Sequence, residues 1–156
     1  MYKIRLICVG KLRERWLQEG VKEYDKRLSR FTKLNLIEVA ESPDLLPTAR
    51  LLSEEGQRLT APLRPGDYTI ALDLHGQLPP DSEAFAKQLE QALDRSGGQL
   101  SFLIAGSNGY APEILAKVNE RWALSPLTLP HLLTRLVFLE QLYRAFKILS
   151  GETYHK

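Results

Sequence analysis

Hydrophobic and polar positions follow two different periods along this chain, and the chain switches repeatedly between them. Short runs rich in aliphatic and β-branched residues predict five strands, over residues 3–9, 34–40, 68–74, 100–104 and 122–124. Apolar positions spaced three and four apart predict helices over residues 13–30, 48–60, 112–118 and 130–149, and another that Asp81 or Ser82 caps and Gly97 closes. This alternation predicts an α/β domain with a mostly parallel sheet and helices on both faces.

Ligands of such sheets bind beyond the carboxyl ends of the strands. Three segments follow predicted strands at these ends: residues 73–76, with His75 and Gly76 as a turn, residues 105–109, and residues 124–129. We therefore expect any functional site to be built from these three segments.

Composition narrows the class of protein. The chain has 156 residues, of which 44% are hydrophobic and 26% charged, which is typical of a single soluble globular domain and excludes a disordered, collagen-like or disulfide-stabilised protein. The apolar stretch that ends at Gly10 is too short for a signal peptide or a membrane span. The single cysteine, Cys8, can form no internal disulfide and cannot hold a metal by itself. We therefore expect a cytoplasmic protein with no membrane and no metal.

The net charge of +2 conceals an uneven distribution. Residues 1–33 carry ten Lys or Arg and four Asp or Glu, a net charge of +6, whereas the rest of the chain carries eleven and fifteen, a net charge of −4. A basic lobe favours an anionic partner such as RNA, although a solvated helix face has the same composition.

Two loops could hold a ligand. The turn over residues 105–109 brings glycines next to an apolar strand, but it has neither the dinucleotide-binding nor the phosphate-binding spacing. The loop over residues 124–131 is apolar and bracketed by Pro126 and Pro130, and Thr128 is predicted to cap the helix that follows. Such a loop suits a flat aromatic ligand such as adenine, and equally suits a simple buried loop.

The last helix carries more apolar residues than one stripe requires. These residues are Leu132, Leu133, Leu136, Val137, Phe138, Leu139 and Leu142. Their spread predicts that a second subunit buries another face of the helix. Glu140 precedes Arg144 by four residues, so we expect these two side chains to pair.

Three motifs near the C-terminus resemble a known family: residues 128–131 (TLPH), residues 140–145 (EQLYRA) and residues 154–156 (YHK). They resemble the large-subunit rRNA pseudouridine N3-methyltransferase family of the SPOUT class, and weaker similarities extend over the whole chain. The resemblance implies a single SPOUT methyltransferase domain over residues 1–156, a trefoil knot in its C-terminal part and a homodimer.

The resemblance also implies a reaction and a cofactor site. The reaction transfers a methyl group from S-adenosylmethionine to N3 of a pseudouridine in a stem-loop of large-subunit ribosomal RNA, on assembled ribosomes. The implied cofactor-binding residues are Leu72, Ala105, Gly106, Leu124, Ser125, Pro126, Leu127, Thr128 and Leu129. The chain departs from the family at Ala105, where a glycine is usual, and at Leu132, where a polar residue is common.

N3 of a pseudouridine must lose its imide proton before it can attack the methyl carbon well. His155 is the first candidate for the base, and His131 is the second. Arg144, Tyr154 and Lys156 are candidates to bind RNA phosphate or to stabilise negative charge on the base carbonyls. Two alternatives stay open: another SPOUT enzyme acting on tRNA, and a ribosome-associated protein without catalysis.

Overall fold

The computed structural model describes residues 1–154, and in this range five strands and five helices alternate almost as the sequence predicts. The elements are β1 (Tyr2–Val9), α1 (Arg15–Leu28), β2 (Thr32–Val39), α2 (Thr48–Thr60), β3 (Tyr68–Gln77), α3 (Ser82–Arg95), β4 (Gln99–Ile104), α4 (Pro112–Lys117), β5 (Glu120–Trp122) and α5 (His131–Leu149). Asp81 caps α3 as predicted, since its carboxylate accepts a hydrogen bond from the Ala84 amide at 2.8 Å.

The five strands form one sheet in the order β2-β1-β4-β3-β5, and every pairing in it is parallel. The prediction of a mostly parallel sheet is therefore confirmed. Parallel strands need crossover connections, which the helices supply. As a result, the carboxyl ends of β3, β4 and β5 lie side by side at one edge of the sheet.

Helices cover both faces of the sheet, as the alternating pattern predicts. On one face, Ile4, Leu6 and Cys8 of β1 pack in a core with α1, α3 and α5. On the other face, Ile7 and Val9 pack with side chains of α2 and α4. Successive residues of a strand point to opposite faces, so β1 contributes to both cores.

The register of β3 shifts beside the carboxyl edge of the sheet. Leu72 and Gln77 both pair with Trp122 of β5, so residues 73–76 leave the ladder and return to it. The sequence indicates a turn at His75-Gly76, whereas the strand continues to Gln77. Gly76 permits this path because a Cβ there would lie 2.6 Å from the backbone carbon of Arg121.

Helix α5 lies against the sheet between α1 and α3, and a buried arginine fixes its first half. The Arg135 side chain is 0% exposed, and its Nη1 lies 2.5 Å from Glu38 Oε2 at the end of β2. Its Nη2 donates to the Gly10 carbonyl at 3.1 Å, just beyond β1. These bonds hold the start of α5 at the carboxyl ends of two strands.

The prediction that Thr128 caps α5 is wrong. The helix begins at His131 after Pro130, and no side chain caps it. Thr128 lies two residues before Pro130, too early in the chain for its hydroxyl to serve as the cap. Instead Pro130, with φ of −55°, sets the first turn, and its carbonyl accepts the Thr134 amide at 2.9 Å. None of the helices within residues 1–154 is both long and apolar enough to cross a membrane.

Candidate functional site

A cavity of about 780 Å³ opens at the carboxyl ends of β3, β4 and β5. Its walls come from residues 72–75, from the turn after β4, from the loop between β5 and α5, and from the first turn of α5. The three segments that the sequence predicts as a site are therefore brought together in one place. The cavity has the size of a pocket for a ligand as large as a nucleoside.

The cavity contains most of the residues that the family resemblance implies for cofactor binding. Eight of the nine line it: Leu72, Ala105, Gly106, Leu124, Ser125, Leu127, Thr128 and Leu129. Pro126 is exposed in the same loop but is not part of the wall. Leu127 is 72% exposed beside the opening, an unusual position for a leucine unless a ligand or another chain covers it.

A half-buried tyrosine, which no sequence motif marks as functional, joins two walls of the cavity. The Tyr110 hydroxyl lies 2.8 Å from the Leu72 carbonyl oxygen and 2.7 Å from that of Leu103. Burial raises the pKa of the Tyr110 phenol above its usual range, so the hydroxyl stays protonated and donates to one of these carbonyls. It thus holds the ends of β3 and β4 at a fixed separation.

The turn over residues 105–109 lies against the buried carboxylate of Glu55, which belongs to helix α2. Glu55 of α2 accepts the Ser42 amide through Oε2 at 2.9 Å. A Cβ on Gly106 would lie 3.1 Å from Glu55 Oε1 and 3.1 Å from Val9 Cγ1. A side chain at position 106 would therefore require Glu55 or Val9 to move by a few tenths of an ångström, whereas Ala105 fits its methyl group into a buried position in the wall.

One carboxylate faces the cavity without a partner. Asp73 lies on the segment that leaves the β3 ladder, and it lines the cavity next to Leu72. Its Oδ2 atom is buried and has no hydrogen-bond partner among residues 1–154. Because an unpaired buried carboxylate is costly, this atom indicates a site for a cationic or hydrogen-bond-donating ligand group.

His131 is the candidate base that the structure places in the cavity wall. It is the first residue of α5, and its side chain is 19% exposed. Its Nε2 lies 3.3 Å from the Glu41 carboxylate. The Glu41 carboxylate can orient the imidazole ring, and a histidine in the cavity wall carries a nitrogen that can accept a proton.

The structure places Arg144 and Tyr154 together but away from the cavity. Arg144 pairs with Glu140, as predicted, and its guanidinium lies 4.0 Å from the centre of the Tyr154 ring. The Tyr154 hydroxyl donates to Glu140 at 3.2 Å. Burial, helped by the neighbouring Tyr24 and Glu140, raises the pKa of Tyr154 to about 12. His155, the first candidate base, lies outside the described residues.

The distance between this cluster and the cavity follows from helix geometry. Thr134 lines the cavity, and Arg144 lies ten residues further along the same helix. At 1.5 Å per residue, the two positions are about 15 Å apart. Arg144 is therefore not among the residues that line the cavity of its own chain.

Comparison with known proteins identifies the family. A sequence model described as "Predicted SPOUT methyltransferase" matches residues 2–155. The chain belongs to the SPOUT methyltransferase family. It is 45% identical to a protein of Streptococcus thermophilus (strain CNRZ 1066) named "Ribosomal RNA large subunit methyltransferase H", with 99% of each chain covered. A protein of the same name from Desulforamulus reducens is 42% identical over the full length of both.

A solved structure supports the fold of this family. A chain from Bordetella pertussis Tohama I, described as "Probable Methyltransferase", superposes with a TM-score of 0.55 at 16% identity, covering 91% of this chain and 95% of its own. The expectation of a SPOUT-type α/β methyltransferase is thus confirmed. Within residues 1–154 of this chain, no group of three or more His, Cys, Asp or Glu side chains lies close enough together to hold a metal ion.

Proposed function

We propose that this protein transfers a methyl group from S-adenosylmethionine to N3 of a pseudouridine in a stem-loop of large-subunit ribosomal RNA, on assembled ribosomes. The observation that carries the proposal is the full-length identity of 45% and 42% to proteins named as methyltransferases of large-subunit ribosomal RNA. The basic excess in residues 1–33 is consistent with an RNA substrate.

The residues of the cavity fit this methyl donor. The donor carries positive charge at its sulfonium and amino groups, and the unpartnered Asp73 carboxylate lies in the cavity wall. Its adenine is flat and apolar on both sides, and the loop before α5 offers Leu124, Leu127 and Leu129. Backbone groups of the turn at Ala105-Gly106 are close enough to the cavity to hold the ribose or the methionine part.

When bound, S-adenosylmethionine supplies an electrophilic methyl carbon on a good leaving group. The protein then has to align N3 of the base with this carbon and to exclude water. Tyr110 fixes the separation of β3 and β4, and the Arg135 bonds fix the start of α5, so the walls are rigid before the donor binds.

A base must take the N3 proton, and the two candidate histidines differ in position. His155 belongs to the segment whose motif resembles the family, and His131 lies in the cavity wall beside Glu41. With a pKa of about 12, Tyr154 stays protonated near neutral pH and acts as a hydrogen-bond donor rather than as a base. Together with the Arg144 cation, it can stabilise negative charge on the carbonyls of the reacting base.

We further infer a homodimer in which one chain provides the cavity and the other provides Arg144, Tyr154 and His155. The support is the separation of about 15 Å between Arg144 and the cavity of its own chain. Leu132, Leu133 and Leu136 of α5 are only half-buried in one chain, which leaves a face for a second copy. A single domain over residues 1–156 and a trefoil knot belong to the same proposal.

The test is methyl incorporation from labelled S-adenosylmethionine into assembled ribosomes, free large subunits and tRNA, followed by mass spectrometry of the nucleosides. We expect N3-methylpseudouridine in large-subunit rRNA, with assembled ribosomes as the preferred substrate. Label in tRNA would assign the protein to another SPOUT reaction. Donor binding without label in any RNA would make it a ribosome-associated binding protein.

A further inference from the structure

One half of a sheet face carries no helix. Helices α2 and α4 cover the carboxyl half of the face to which Ile7 and Val9 point. On the amino half of the same face, the register places Lys3 of β1 between Lys33 of β2 and Gln99 of β4. The next row along the strands is Arg5 between Asn35 and Ser101. A second cavity, of about 320 Å³, lies over these two rows, with Arg64 and Asp67 at its side.

Most of the positive charge on this face has no acidic partner. Lys3, Lys33 and Arg64 are exposed, and the structure shows no ion pair for any of them within residues 1–154. Arg5 is held in place, since it ion-pairs with Asp67 and its Nη1 donates to the Pro62 carbonyl at 2.8 Å. Four cations and one carboxylate leave a net charge of +3 around one concave surface.

The arrangement is unfavourable for the folded chain alone. Adjacent strands lie about 4.8 Å apart, so Lys3 and Lys33 project side by side with like charges. On α1, Arg15 and Arg27 pair with Glu19 and Glu23 along the helix, whereas Lys22 and Lys26 are exposed without an ion pair among residues 1–154. The sheet face differs from α1 because its cations surround one concave surface, where a bound anion would offset the repulsion.

We infer that this basic sheet face, formed by Lys3, Arg5, Lys33 and Arg64, binds phosphate groups of the RNA backbone. The inference rests on the proposed function, because that function supplies the RNA. Between the cations lie the exposed side chains of Asn35 and Gln99, which can hydrogen-bond to phosphate and ribose oxygens. The face therefore supplies both charge and hydrogen bonds to a nucleic-acid backbone.

The chemistry of the face favours RNA over a protein partner. Protein interfaces are built around aromatic or aliphatic anchors, whereas the apolar residues of this cavity among residues 1–154 are Ile4 and Leu100, which are 0% and 2% exposed. In the same part of the chain no aromatic side chain lines the cavity, so it offers bases no stacking surface and is suited to contact with the RNA backbone. The basic sheet face lies at the opposite end of the sheet from the cavity proposed for S-adenosylmethionine (the donor cavity), about 20 Å away along β1. The RNA therefore contacts both ends of the domain.

The test compares two triple variants that remove the same charge. Lys3→Gln, Lys33→Gln and Arg64→Gln neutralise the basic sheet face. Lys87→Gln, Lys117→Gln and Arg121→Gln neutralise exposed residues elsewhere on the chain and serve as the control. Binding to ribosomes is measured over a range of salt concentrations, and S-adenosylmethionine affinity and melting temperature are measured for each protein.

We expect the first variant to bind ribosomes about tenfold to a hundredfold more weakly at low salt. The magnitude of the slope of log K against log salt should fall by about two to three. Its donor affinity stays that of the wild type, and its melting temperature is equal or higher because a repulsion is removed. The control variant keeps the wild-type slope. An unchanged slope in the first variant would overturn the inference and leave Lys33 as a residue that protects an edge strand. Failure of the proposed function shows instead in the wild type, as ribosome binding without methylation.

Discussion

At the scale of single residues, we expect Asp73 to let the cavity distinguish S-adenosylmethionine from its demethylated product by the charge on sulfur. Its unpartnered carboxylate oxygen lies in the cavity wall, and S-adenosylmethionine differs from its demethylated product chiefly by the sulfonium charge. We expect Asp73→Asn to weaken binding of S-adenosylmethionine about tenfold and to weaken binding of the product, whose sulfur is an uncharged thioether, much less. Calorimetric titration of both ligands measures the ratio. Equal losses for the two ligands would show that Asp73 does not sense the sulfonium charge.

Because of Cys8, we expect the fold to lose stability at alkaline pH. Burial raises the pKa of its thiol from 9.0 to about 12, with Arg135 nearby opposing the shift. Between these values the unfolded chain has lost the proton and the folded chain keeps it, so the free energy of unfolding falls as pH rises above 9. We expect a loss of about 1 kcal/mol between pH 8 and pH 10 from this thiol.

Urea denaturation at pH 8, 9 and 10 measures this loss in the wild type and in Cys8→Ala. The alanine variant is less stable at pH 8 because it lacks a buried sulfur, but its stability changes less with pH. If both proteins lost stability in parallel over this range, the dependence would belong to other groups and not to Cys8.

At the scale of elements, one buried cation links the start of α5 to the ends of two strands. Arg135 joins Glu38 at the end of β2 to the Gly10 carbonyl beyond β1, and the next residues towards the helix start line the donor cavity. We expect Arg135→Met to lower the free energy of unfolding by about 3 kcal/mol, because Glu38 and Gly10 lose their shared donor. Chemical denaturation measures this change.

The double variant Arg135→Met with Glu38→Gln separates charge from packing. If the cost arises from the unpaired Glu38 carboxylate, the second substitution recovers part of the lost stability. Additive losses would instead mean that the arginine acts through its packing and its bond to Gly10.

The elements themselves were largely predictable from local patterns, and the contacts that complete the site were not. Apolar periodicity gave the strands, the helices and the three segments that converge on the cavity. The sequence does not predict that β3 returns to its pairing with β5 at Gln77, because Gly76 has the local signature of a turn. The glycine is instead explained by the close approach of its backbone to that of Arg121. Tyr110 and Arg135 occupy ordinary positions in the sequence, and their partners lie far away along the chain. Nothing local distinguishes them.

At the scale of the whole molecule, Arg144 and Tyr154 lie outside the cavity of their own chain, and the proposed dimer therefore predicts complementation between chains. Asp73→Arg places a cation where the cationic donor binds, and His155→Ala removes the first candidate base; we expect each variant alone to be inactive or nearly so. If the second copy supplies the tail, a mixed dimer has one doubly defective site and one intact site. Unfolding and refolding an equal mixture makes about half of the dimers mixed, so we expect about a quarter of the wild-type activity. Methyl incorporation into ribosomes measures the recovery, with separately refolded variants as the control. No recovery, with mixed dimers shown to form, would place the tail and the cavity of each active site on the same chain.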